Sequence, residues 1–104
     1  MNKQKSIKNE FERLYSNVKE LHRRIMVDDD KYPKHTCATW FAEHAEELVQ
    51  NPNYSDRLTD AHMQQLEIMV KSLIGNKYVQ EQDQERLVDV LECIGNINTK
   101  GVNL

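Results

Sequence analysis

Residues 4–27 read QKSIKNEFERLYSNVKELHRRIMV, and this stretch decides the fold class. Ile7, Phe11, Leu14, Val18, Leu21 and Ile25 recur at spacings of four and three, with no Gly or Pro among them. That period places all of them on one face of a helix of about 22 residues. Tyr15, His22 and Met26 widen one edge of the stripe. Lys8, Lys19 and Arg23 fall on the adjoining polar face, while Arg13, Glu20 and Arg24 fall opposite. So long an apolar seam needs cover, and the spacing leaves two sources for it: the rest of this chain or a second copy. A chain of 104 residues has a limited core, so a homodimer through this seam is expected.

The remaining chain extends the helical reading. Asp28-Asp29-Asp30, followed by Tyr32-Pro33, breaks the first helix, because Pro disfavours helix in the preceding residue and Asp favours turns. Thr36 is the expected N-cap of a second helix over residues 37–50. Its apolar stripe is Cys37, Trp40, Phe41, His44, Ala45, Leu48 and Val49, with Glu43, Glu46 and Glu47 towards solvent. Pro52 stops it. Thr59 caps a third helix, Asp60 sits at its positive end, and Leu58 staples onto Met63. The third stripe is Met63, Leu66, Met69, Val70, Leu73 and Ile74, closed by a left-handed Gly75. A fourth helix spans about residues 80–94, with Leu87, Val90, Leu91 and Ile94 inward, and Gly95-Asn96 is its expected end. The expected architecture is all-α: a compact bundle of about four helices with a long first helix and short connections. Residues 1–95 make one domain and residues 96–104 a tail.

Composition narrows the function classes. Hydrophobic residues are 38%, charged residues 30% and the net charge is −3, the balance of an ordinary globular domain. Three glycines, all after residue 74, exclude a Gly-rich phosphate cradle. The four His and two Cys make no CxxC, HxxxH or Glu-x-x-His pattern, so no metal site is expected. Cys37 with the nearby His35 is the one nucleophile arrangement to weigh, but Cys37 falls on a core stripe, where a thiol is inert. Neither a catalytic residue nor a cofactor is expected. The basic start of the chain is followed by no apolar run and cleavage site, and two unpaired thiols suit a reducing compartment, so the expected location is the cytoplasm. No membrane association is expected, since the amphipathic stripe is needed for packing.

Charge is unevenly spread. Residues 1–27 hold seven Lys/Arg against three Glu, a balance of +4. Residues 28–60 stand at −5 and residues 61–104 at −2. Charge matching between helices or between copies is the first reading of this split. The second is a basic surface for an anionic partner. Nucleic acid is the specific case of that second reading, with the first helix lying along phosphates. Glu10, Glu12 and Glu20, three or four residues from Arg13, Lys8 and Arg24, partly neutralise that face. A helix-turn-helix reading over residues 59–94 places Glu81, Asp83 and Glu85 against phosphate, with the wrong sign. The expected function is therefore a small non-catalytic regulatory protein, of the inhibitor, adaptor or accessory-subunit kind, acting by contact with another protein. The candidate interface is the apolar seam from Ile7 to Ile25 with Lys8, Lys19, Arg23 and Arg24. The alternative is a nucleic-acid-associated regulator using the same helix.

Overall fold

A computed structural model describes residues 3–27 and 31–102, with side chains for residues 5–27 and 31–97. The Asp28–Asp30 turn lies outside the described residues. Five helices follow one another: α1 (Lys3–Met26), α2 (Lys34–Gln50), α3 (Pro52–Ser55), α4 (Asp60–Leu73) and α5 (Glu81–Val102). No described residue is in a strand.

α1 and α2 run antiparallel and share the broadest contact of the fold. Phe11, Val18, Leu21 and Ile25 are buried, and Ile7 and Leu14 half-buried. The seam is thus covered from within the chain, and the argument it offered for a homodimer falls away. Ala38, Ala42 and Ala45 are fully buried on α2, and side chains this small let helix axes approach closely. α4 meets α1 through side chains, with His62 against Phe11 and Tyr15 and Ser72 beside His22, and α5 closes the bundle against α2 and α4.

The start of α2 differs from expectation. Pro33, not Thr36, is the N-cap, in extended geometry and with no side-chain cap bond. A tertiary contact decides the matter. Lys34 Nζ donates to the carbonyls of Arg24 (2.9 Å), Ile25 (3.2 Å) and Val27 at the end of α1. Carbonyls in the last turn of a helix are short of helical donors and form its negative pole, and an ammonium there suits both features. Lys34→Met keeps the stem and removes the charge. It is expected to cost about 1 kcal/mol in a urea melt.

Pro52 ends α2 as expected and also starts α3, a single turn not foreseen, with Asn51 accepting from Asn53 N–H at 3.0 Å. Thr59 caps α4 as expected, and Gly75 takes the left-handed conformation at φ 84°. Ile74, placed on the core stripe by spacing, is instead exposed. α5 does not stop at Gly95 but runs on to Val102. Ile94 is buried and Ile97 packs against the core, so burial continues past the glycine. A Cβ at Gly95 meets nothing within 4 Å. Gly95→Ala is therefore expected to raise stability by about 0.5–1 kcal/mol, read as a higher urea midpoint.

Candidate interaction surface

Trp40 is the side chain that departs most from its expected place. Spacing assigns it to the core stripe of α2, yet it is 48% exposed, whereas its neighbour Phe41 is 0% exposed. Ala38 and Ala42 turn the buried face of α2 away from Trp40, which is left at the edge facing α1. There it lines a groove of about 170 Å³ with Asn17, Glu20, Leu21 and Arg24 of α1 and His44 of α2. The helical reading missed this because alanines carry little hydrophobic weight, although three of them are fully buried. The available signal was the wheel itself: Trp40 and Ala38 lie about 160° apart on a helix and cannot share the centre of one face.

Polar groups in the groove are held in place. Glu20 accepts from Arg23 at 3.0 and 2.6 Å and from Arg24 at 2.9 Å. Hydrogen bonds from Arg23 and then Arg24 hold the Glu20 carboxyl down at about 2. Glu20, then Tyr32, push the Arg23 guanidinium up. All three side chains are open to water, so this network orients groups more than it stabilises the fold. Arg24 Cζ stands 5.0 Å from the centroid of the Tyr32 ring. One edge of the bundle therefore presents Tyr32, Arg24 and Trp40 in sequence, the three residue types most enriched where binding energy concentrates.

The expected interface residues separate. Arg24 and Leu21 line the groove, and Arg23 joins this edge through its bonds to Glu20 and Tyr32. Phe11, Val18 and Ile25 are core. Lys19 is on the other flank of α1, its Nζ 5.4 Å from the Tyr15 ring. Lys8 and Lys5 are exposed and make no ion pair among the described residues. Of the three neutralising pairs expected on α1, Arg24–Glu20 forms. Glu10 instead accepts from Tyr54 Oη at 3.2 Å. Among the described residues no ion pair joins a cation of α1 to another helix. Arg86 bridges α5 to Glu43 of α2 at 3.5 Å, inside the acidic part of the chain.

The residues weighed for chemistry have the following surroundings. Cys37 is buried and Cys93 half-buried, both unpaired thiols. The His35 ring is committed to Tyr78, with Nδ1 3.0 Å from its carbonyl oxygen and the rings edge to face. Asp83 is buried, but its Oδ2 accepts from Thr39 Oγ1 at 2.8 Å and Arg86 is 3.7 Å from Oδ1. Among the described residues no three His, Cys, Asp or Glu side chains stand where they could hold a metal ion. No described helix is long and apolar enough to cross a membrane. Comparison with protein-family models, with curated protein sequences and with solved structures gave no match.

Proposed function

We propose that this chain is a small non-catalytic regulatory protein that acts by docking on another protein through the α1–α2 edge around Trp40. One observation carries the reading: a half-exposed Trp between a stacked Arg–Tyr pair and a half-buried His. A large indole left in water has unspent apolar area. The oriented guanidinium and carboxylate beside it supply direction, which is how charge contributes to association. The mechanism is occupancy of the partner's surface. Two unpaired thiols fit a cytoplasmic site of action.

The test is capture from host lysate on immobilised wild type, Trp40→Ala and Ile68→Ala, each with and without nuclease. Ile68 is the exposed apolar control, at 63%. A partner retained by wild type and Ile68→Ala, lost by Trp40→Ala and indifferent to nuclease supports the reading. Equal retention on all three overturns it. The alternative, a nucleic-acid-associated regulator, draws on the unpaired Lys5 and Lys8 of α1. Capture that vanishes with nuclease and with Lys5→Ala/Lys8→Ala would favour it.

A further inference from the structure

α4 and α5 pack on each other away from the Trp40 edge. Between them lies a groove of about 320 Å³, lined by Leu91, Ile94 and Gly95 of α5 and by Glu67 and Lys71 of α4. Ile94 is buried and Leu91 half-buried, so the floor is apolar. Gly95 has no explanation within the chain. It stands inside α5, where glycine is the poorest helix former after proline. Its φ is not positive, and a Cβ there would meet nothing within 4 Å. Neither a turn nor a close approach of the chain to itself calls for it. What the missing side chain does is keep the groove open.

Charge marks the border of the groove. Glu81, Glu85, Val88 and Glu92 recur at spacings of four and three, so they share one exposed face of α5. Gly95 follows Glu92 by three and Val88 by seven, which sets that face beside the groove. The three carboxylates make no ion pair among the described residues. Glu81 and Glu85, four apart, repel each other. On α4 the exposed Asp60 stands seven residues before Glu67, on the same flank. Lys71 Nζ lies 2.7 Å from Glu67 Oε2, and that pair cancels. Asp60, Glu81, Glu85 and Glu92 are left without a counter-charge. Val88, 45% exposed, adds apolar area in water at the same border.

An apolar floor between acidic borders is the complement of a helix whose apolar row is flanked by Lys and Arg. A second copy of this chain has no such row to offer, because the apolar faces of its long helices are already spent in the core. We propose that the α4–α5 groove docks a basic amphipathic helix of a partner protein. The apolar row of that helix rests on Val88, Leu91 and Ile94, its backbone comes closest at Gly95, and its cations meet Asp60, Glu81, Glu85 and Glu92. The groove shares no residue with the Trp40 edge, so the proposal stands apart from the function proposed for that edge.

The probe is a synthetic helical peptide of about 18 residues with Leu at four-and-three spacing and Lys elsewhere. A second peptide carries Glu in place of every Lys. Each is titrated into the full chain at about 0.15 M salt, where diffuse attraction is largely screened, and read by calorimetry. The Lys peptide is expected to bind and the Glu peptide not to. Gly95→Leu is expected to fold at least as stably as wild type, because Leu is the better helix former, and yet to bind about tenfold more weakly or worse, because its side chain fills the groove. Glu85→Gln/Glu92→Gln keeps the shape, removes two charges and is also expected to weaken binding about tenfold. Trp40→Ala is expected to bind the peptide as wild type does. No binding of the Lys peptide, or equal binding of the Glu peptide, overturns the proposal. So does a Gly95→Leu chain that binds as wild type, since charge alone would then hold the peptide. If Gly95→Leu fails to fold, an unchanged affinity of Glu85→Gln/Glu92→Gln overturns it. A loss on Trp40→Ala does so too, by moving the contact to the other edge.

Discussion

Phe41→Ala is expected to cost about 3–5 kcal/mol of folding free energy. A domain of this size holds only about 5–15 kcal/mol in all, so the variant stands at the edge of unfolding. Phe41 is fully buried at the middle of α2, with the His22 ring of α1 beside it. The residues around it on α2 are Ala38, Ala42 and Ala45, whose methyl groups cannot reach into the space a phenyl ring leaves. The cavity therefore persists, and its cost adds to the lost transfer energy. Urea melts check this, read as a lower midpoint at unchanged slope. A midpoint no lower than that of Ile68→Ala, whose side chain is already in water, would refute the central placement of Phe41.

Its neighbour carries the opposite expectation. Trp40→Ala should change folding stability by less than about 1 kcal/mol, since surface substitutions away from special features act within such limits. Binding to the captured partner should weaken by about 2–4 kcal/mol, roughly thirtyfold to a thousandfold in Kd. Isothermal titration against the purified partner measures the second quantity and a urea melt the first. Trp40→Phe should recover part of the affinity, because a smaller ring still fills part of the groove. Arg24→Lys should not recover what Arg24→Ala loses, because an ammonium lacks the planar face that stacks on Tyr32. A Trp40→Ala chain that binds as wild type would remove the indole from the interface, and one that unfolds would give it a core role instead.

Much of the helical order was legible in the sequence. The α1 seam, the Thr59 cap and the Gly75 stop depend on residues within a few positions of one another, through helical period, a side-chain acceptor and a positive φ. What depends on residues far apart in the chain was not legible. Spacing kept Thr36 as a cap, because nothing local says that Lys34 reaches three carbonyls of the preceding helix. Gly95 reads as a terminator until Ile97 is seen to have a core to pack on. The candidate surface was the least legible part. Of the ten residues expected at an interface, Leu21, Arg23 and Arg24 lie at the Trp40 edge, and the indole and Tyr32 beside them were not foreseen.

The sequence by itself determined an all-α chain, the extent of its first helix, and the absence of Gly-rich phosphate cradles and paired metal-ligand motifs, because these follow from local period and residue chemistry. Only the tertiary structure decided which apolar side chains were spent inside. The row from Phe11 to Ile25 looks like a surface in one dimension and is core in three, while Trp40 looks like core and stands at the rim. The physical reason is that burial belongs to pairs of helices. The inward face of α2, which meets α1 and α5, carries three buried alanines beside Phe41, and no single stripe records that.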